Sequence, residues 1–520
     1  MSRAIQIIFF LLVYLTFFST AQAADPVTSR ISVDSYGNGG NGGSHDAVIS
    51  RNNRFVAFMS RADNLVPNDN NGYRDVFVHD QQTGQTSRVS VDSSGNGGLG
   101  YSDYPVISGD GRYVAFESYV STLVPDDTNG KSDIFVYDRQ TGQPSRVSIN
   151  SNGVQGNVNS YNPSISEDGR YVAFSSYAFN LVSNDSNGMD SDIFVHDRQT
   201  GQTTIVSVDS HGNQGDGDSH YPVISRDGRY VAFVSEVNTL VSGDTNGQRD
   251  VFIHDRQTDQ TTRVNVDSFG NQSIGISTQD RKIALSGDSR YVAFESWAND
   301  LVSGDTNNYT DIFVHDRVTG QTIRVSVDSN GNEGYWGGSY PSITDNGRYV
   351  AFNSSSQLVP EDIDSGSNVY IHDQQTGQTS QIQEADGFSP FISSDGSYVA
   401  FLAGSDLLPG GNVYGEDVFM RGPLEIDNAC PFAPVLLGAY PYYFFFTIQS
   451  AYDFISTSGI DLIQIQSIEF PETLVFDQDV RVTLKGGYDC DYYELPYSFP
   501  TVRSMTINSG SIVVDKIIIQ

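Results

Sequence analysis

Five loops of this sequence carry the same three oxygen-bearing side chains at nearly the same spacing. They read Asp69-x-Asn71 with Asp75, Asp127-x-Asn129 with Asp133, Asp185-x-Asn187 with Asp192, Asp244-x-Asn246 with Asp250, and Asp305-x-Asn307 with Asp311; the third is one residue longer. A sixth copy is altered (Asp362, Asp364, Asn368), and a seventh has lost the pattern around Gly411 and Asn412. A hard cation such as calcium takes about six to eight oxygen ligands. Alternating Asp and Asn in a glycine-bearing turn aims several oxygens at one point, as the start of an EF-hand loop does. No Glu closes these loops at the EF-hand distance, so carbonyls, water or a neighbouring loop must supply the remaining ligands. The same residues also make good turns, through Asx turns and glycine at positive φ. Calcium ligation and turn architecture both fit, and calcium is the one cofactor the pattern suggests.

Other candidate chemistry is sparser. His-Asp pairs recur at His79-Asp80, His196-Asp197, His254-Asp255, His315-Asp316 and His372-Asp373, with Tyr137-Asp138 in their place once. Neighbours in a strand face opposite sides, so adjacency makes no dyad, and a position filled by His or Tyr reads as packing. Both cysteines, Cys430 and Cys490, stand alone in sequence, which argues against a thiolate metal site. No Gly-x-Ser-x-Gly elbow stands in a strand-to-helix context. Aromatic side chains in polar, glycine-rich loops are the remaining candidates: Tyr104, Tyr161, Tyr221 and Tyr340, each placed just before a strand, and Trp336 within one such loop. Rings with polar neighbours suit a sugar or a protein ligand; equally, these tyrosines could fill a channel or pack between repeats.

The elements that position these residues come from an internal repeat. The phrase Tyr113-Val114-Ala115-Phe116 recurs seven times, beginning at Phe55, Tyr113, Tyr171, Tyr230, Tyr291, Tyr349 and Tyr398, with a period of about 58 residues and a shorter last unit. Each unit reads as four short strands. In the second unit, strand a starts at Tyr104, an Asp110-Gly111 turn follows, strand b covers 112–117, strand c covers 133–138, and strand d covers 145–149 after Thr141-Gly142-Gln143. Four antiparallel strands repeated four to eight times define a β-propeller. The last unit ends at its strand c, Asp417 to Met420, while an unclaimed strand d, Thr28 to Asp34, precedes the first unit and matches Thr86 to Asp92. The N-terminal strand is therefore predicted to complete the seventh blade and remove the open edges of a linear array. The a–b and c–d turns are short. The long b–c and d–a connections emerge together on the opposite face, where a rigid scaffold usually carries function.

The pattern Pro-x-Ile-Ser-x-Asp-Gly-Arg-Tyr-Val-Ala-Phe, followed by Asp-Ile-Phe-Val-x-Asp-Arg-x-Thr-Gly, resembles the TolB-type, WD-like β-propeller repeat of exported bacterial proteins. The resemblance covers residues 28–421. It implies a propeller and no single function, because the N-terminal α/β domain of TolB itself has no counterpart in these residues.

Three regions follow: 1–23, 24–422 and 427–520. The first reads as a signal peptide, with Arg3, the apolar run Ile5 to Phe18, and a small-residue cleavage site at Ala21-Gln22-Ala23. That run falls short of the roughly 20 residues that span a bilayer, so the mature chain is expected to be secreted or periplasmic and not membrane-spanning. Export permits a Cys430–Cys490 bridge. The second region is the propeller. The third is β-rich, with one short helix expected around Ile448, Ala451, Tyr452 and Ile455, and it reads equally as the opening coils of a parallel β-helix or as a small sandwich. The fold class is all-β.

Sixty-three Asp and Glu against 29 Lys and Arg give a net charge of −34. That balance argues against nucleic acid, whose phosphates need clustered basic residues. The 12% aromatic content argues against disorder. The leading expectation is a monomeric, non-catalytic binding or scaffold protein that takes a protein or polysaccharide on its long-loop face. The alternative is a polysaccharide hydrolase or lyase with its site at the channel mouth, where repeat symmetry is broken by His45-Asp46, by Asp218 and His220, and by Arg281-Lys282.

Overall fold

The computed structural model describes residues 26–275, 283–362, 366–382, 386–404, 406–409 and 415–424, together with the backbone of eight strands between 435 and 519. The predicted signal peptide, the helix around Ile448 to Ile455, both cysteines, Asp364 and the Arg281-Lys282 pair lie outside the described residues.

Seven four-stranded antiparallel sheets form a seven-bladed propeller. In the seventh, Val27–Arg30 pairs antiparallel with Glu416–Gly422, which itself pairs with Val399–Gly404. The N-terminal strand thus closes the ring as the orphan-strand argument expects. Strands b and c are almost wholly buried because a blade packs on both faces. On strand b, Phe116 of Tyr113–Ser118 stacks on Phe135 of strand c at 6.1 Å, and an equivalent pair recurs in every blade at similar spacing, with Tyr370 as the strand-c ring in the sixth. Burying one such ring contributes on the order of 1.5–3 kcal/mol. Among the described residues the core is seven clusters, each shared by two adjacent blades; one joins Ile31, Leu402 and Val418 of the seventh blade to Phe58 and Phe77 of the first.

The repeated Asp-Gly-Arg-Tyr phrase is the joint between blades. Gly111 sits at φ +75°, and a Cβ there would lie 2.1 Å from the Phe55 ring of the preceding blade. That ring is sandwiched between the guanidinium groups of Arg54 at 4.8 Å and Arg139, from the following blade, at 4.1 Å. Glycine is needed here for its backbone and for the ring beneath it.

The His-Asp pairs are architectural. His79 contacts the Thr86 hydroxyl through Nδ1 at 2.9 Å, and that hydroxyl donates to the Val33 carbonyl, so the imidazole donates and the pair ties strand d to the chain entering the blade. His196, His254, His315 and His372 repeat the contact. In the second blade Pro144 replaces the threonine, and Tyr137 replaces the histidine with it. The aspartates face the other way: Asp80 accepts two bonds from Arg54, which hold its carboxyl down at about 2.

Beyond the propeller, Leu462–Gln466, Arg481–Tyr488 and Ser511–Asp515 pair in parallel, as do Glu469–Phe476, Thr501–Ile507 and Ile518–Ile519. The chain alternates between the two stacks, which is how successive coils of a β-helix pair. Val435–Leu437 and Tyr443–Phe445 extend the first stack antiparallel.

Candidate binding site at the channel mouth

The seven a strands line a central channel with a cavity of about 730 Å³. Its wall is aliphatic, from residues such as Ile49, Ile107, Ile224 and Ile343, and its two ends are built differently.

At the loop end, strand a is bulged two residues before its regular pairing resumes, as between Asp103 and Val106. In six blades the bulge puts one described residue into the left-handed region: Asp46 (φ 49°), Tyr104 (51°), Asn162 (51°), Tyr221 (54°), Tyr340 (57°) and Ser389 (50°). Left-handed φ is uncommon for large side chains, and here it aims each residue into the mouth. Two of these backbones are held by acids from the preceding blade. Glu117 accepts the Asn162 amide at 3.0 Å and Glu295 accepts the Tyr340 amide at 2.7 Å. Burial pushes the Glu117 carboxyl up to about 8.

Tyr104, Tyr221 and Tyr340 therefore lie within strand a, rather than before it, and face the channel. Tyr161 is not their equivalent. Asn162 occupies that place, and Tyr161 stands one position earlier, against Tyr177 at 6.3 Å. Trp336 lies apart, in an exposed knot with Tyr335 (4.8 Å) and Tyr309 (5.1 Å).

At the opposite end, the residue following each strand a's last Ser or Thr forms a belt. Gly109 donates its amide to the Glu167 carbonyl, Glu167 to Arg226, and Asp345 to Ser394. Their side chains close across the axis. Arg51 lies 3.5 Å from Glu167 and 3.3 Å from Asp345, while Arg226 pairs with Asp345 and approaches Glu167 at 3.9 Å. Four blades are thereby cross-linked by two cations and two anions. Sequence reasoning missed this quartet; its one signal is a repeat position that varies between Arg, Gly, Glu, Asp and Ser.

The Asp-Asn loops converge as their spacing suggests, but in four blades an arginine from strand d enters the cluster. Arg88 Nη1 lies 2.8 Å from Asp69 and 3.2 Å from Asp75. Arg146 takes Asp127 and Asp133, Arg263 takes Asp244 and Asp250, and Arg324 takes Asp305, Asp311 and Glu333. In the third blade Ile205 replaces that arginine, and the neutral amide of Gln214 bonds Asp192 at 2.5 Å and Asn187 at 2.9 Å. The asparagines Asn71, Asn129, Asn187, Asn246 and Asn307 each donate to a carbonyl of the next d–a loop. The one acidic triad with carboxylate oxygens mutually within 4.8 Å among the described residues, Asp305, Asp311 and Glu333, is the one around Arg324. The position expected for calcium is thus held by guanidinium in the first, second, fourth and fifth blades.

Fold and mouth together define a seven-bladed β-propeller. No family model matches the chain, and no curated protein matches it. Among solved structures, an oligogalacturonate lyase in complex with manganese resembles it at 11% identity over 78% of this chain and 98% of that one, with a TM-score of 0.48. The β-propeller domain of the Trilobed protease from Pyrococcus furiosus does so at 13% identity over 69% and 91%, with a TM-score of 0.43. TolB from Acinetobacter baumannii does so at 14% identity over 74% and 79%, with a TM-score of 0.34. These likenesses concern the fold alone. Among the described residues no helix is long and apolar enough to cross a membrane.

Proposed function

We propose that this chain is an exported binding protein that holds a protein or polysaccharide ligand on its long-loop face, at the mouth of the central channel. One observation carries this reading. Six blades place a residue at the same bulge with the same backbone, yet the side chains are Asp46, Tyr104, Asn162, Tyr221, Tyr340 and Ser389. The joints and cores keep the repeat's symmetry, and the mouth abandons it. Tyr104, Tyr221 and Tyr340 are the contact residues of this reading, and Trp336 is a second contact farther out. Calcium does not enter it, since a cation would have to displace arginine from four of the five loops. Export rests on residues 1–23, and the C-terminal strands are read as a separate attachment or presentation module.

The test is capture of ligand from envelope extracts and glycan arrays by the chain and by its Tyr104→Asn/Tyr221→Asn/Tyr340→Asn variant. Asparagine already occupies this backbone at Asn162, so the variant is expected to keep its melting temperature and to lose about tenfold or more in affinity, which corresponds to ~1.4 kcal/mol. Unchanged capture would remove this face from the account.

A second reading is favoured by Glu117: a carboxyl that keeps its proton near neutral pH, buried directly behind the Asn162 amide at the channel mouth, suits a general acid in a polysaccharide hydrolase or lyase. A panel of polysaccharides incubated with the chain tests it, and the absence of reducing-end or unsaturated products counts against it.

A further inference from the structure

On one side of the mouth the aromatic rings form a line. Tyr161 meets Tyr177 at 6.3 Å, Tyr177 meets His220 at 6.1 Å, and His220 meets Tyr221 at 5.7 Å. Tyr119 extends the line outward, its hydroxyl 3.5 Å from that of Tyr161. The run begins on the second blade, crosses the third, and ends on the fourth at Tyr221, which also lines the channel. Tyr119 is exposed and the other four are half-buried. The rings are stepped at nearly constant spacing, and the polar neighbours of Tyr161 are amides: Asn159 donates to its hydroxyl at 2.7 Å, and Asn162 stands beside it in the strand. A repeated ring spacing bordered by amides and hydroxyls suits a repeating ligand that has C–H faces for the π surfaces and hydroxyls for the edges. A sugar chain has both.

The charges around this line restrict which sugar chain. Its arginines are already engaged: Arg74 is held by Asp103 at 2.6 and 2.8 Å, and Arg249 by Glu236 at 2.6 and 2.7 Å. Asp46 and Asp218 add carboxylates to the same rim, on a chain of net charge −34. A polyanionic glycan would meet these carboxylates, and among the described residues both arginines beside the row are already paired.

We infer that the row Tyr119, Tyr161, Tyr177, His220 and Tyr221 is a glycan-binding cleft for a pyranose chain without acidic groups, entering the channel mouth from the second blade. The inference rests on the loop-face reading above and names the ligand class for that face.

The test is calorimetric titration of the full chain with three hexasaccharides: chitohexaose, its de-N-acetylated form, and hexagalacturonate. The neutral or the amine-bearing hexamer is expected to bind, and the two arms decide whether Asp46 and Asp218 recognise an ammonium. Hexagalacturonate is expected to bind at least tenfold more weakly. The variant Tyr161→Ala/Tyr177→Ala should weaken binding by about tenfold or more. The variant Tyr161→Trp/Tyr177→Trp keeps aromatic faces and should retain binding, which separates loss of stacking from loss of folding. Equal or tighter binding of hexagalacturonate overturns the inference, as does binding that the alanine pair leaves untouched, or no binding of any hexamer. Each of those results leaves the loop-face reading to the capture experiment with the Tyr104, Tyr221 and Tyr340 variant, so the two fail separately.

Discussion

Replacing Arg88 tests whether the acidic loops are filled by the chain's own cation. Its guanidinium lies between Asp69 and Asp75, and all three side chains are less than a tenth exposed. Removing one partner of a buried ion pair costs about 3–5 kcal/mol, because the remaining charge stays buried without its counterion. Arg88→Ile imposes the residue that the third blade carries at Ile205. In that blade Gln214 supplies the compensating amide, whereas the first blade has Gly97 at the same place. A Cβ on Gly97 would lie 2.7 Å from the Arg88 guanidinium carbon, yet Gln155, Gln272 and Glu333 stand at this place beside Arg146, Arg263 and Arg324 in other blades, so a side chain here needs only a shift of the guanidinium. The double variant Arg88→Ile/Gly97→Gln should recover a large part of the loss, as Gln214 does beside Ile205. Burial and the neighbouring Asp75 already push Asp69 up to about 6, despite Arg88. Removing Arg88 raises it further, and a carboxyl whose folded pKa is raised binds its proton more readily folded than unfolded, so the penalty of the single variant relative to the parent grows as pH rises above about 6. Urea unfolding at pH 5 and pH 7.5 reads both effects. Added calcium should stabilise Arg88→Ile, by about 2.7 kcal/mol at a hundredfold excess over its dissociation constant, and leave the parent chain unmoved. Arg88→Ile as stable as the parent, or a parent stabilised by calcium as strongly as the variant, would refute the reasoning.

Two further outcomes follow from the joints between blades. Gly111→Ala puts a Cβ into the Phe55 ring at a left-handed φ and should cost about 1–3 kcal/mol in urea unfolding, more than the same change at the open Gly130 turn. Burial lowers the pKa of all five buried histidines, to about 4 for His196 and His372. Between pH 6.5 and about 4 the unfolded chain binds protons that folded His196 and His372 refuse, so the stability these two contribute is intact above pH 6.5 and is lost as pH falls to about 4, and the other three act in the same direction. For His196 that amounts to on the order of 3 kcal/mol. A His196→Gln variant should flatten this part of the stability–pH profile, and an unaltered slope would show that the imidazole is not held neutral.

The blade count and the ring closure were legible because they depend on local alternation and on a strand that matches its missing equivalent. Local chemistry was legible too: the His-Asp pairs read as architecture, and Tyr137 with Pro144 confirms that histidine and threonine act together. What the sequence hid is what the axis brings together. Arg51, Glu167, Arg226 and Asp345 come from four blades, and no local pattern pairs them. The bulge was hidden for a different reason. A residue before proline is biased toward extended backbone, so nothing marked Tyr104, Tyr221 and Tyr340 as left-handed. Counting back from Pro163 would have placed Asn162, not Tyr161, in their register. The arginines of strand d were visible at most repeats, yet the Asp-Asn spacing alone suggested an external cation. The outward line from Tyr221 to Tyr119 depends on contacts between three blades and was invisible for the same reason as the quartet.

The central claim is that ligand sits on the loop face at the channel mouth. Hydrogen exchange of the chain with and without the ligand captured above tests it most directly. The account predicts slowed exchange in the d–a and b–c loops that border Tyr104, Tyr221 and Tyr340, with the c–d turns such as 139–142 unchanged. Protection confined to the c–d turns would place the ligand on the opposite face and contradict the account.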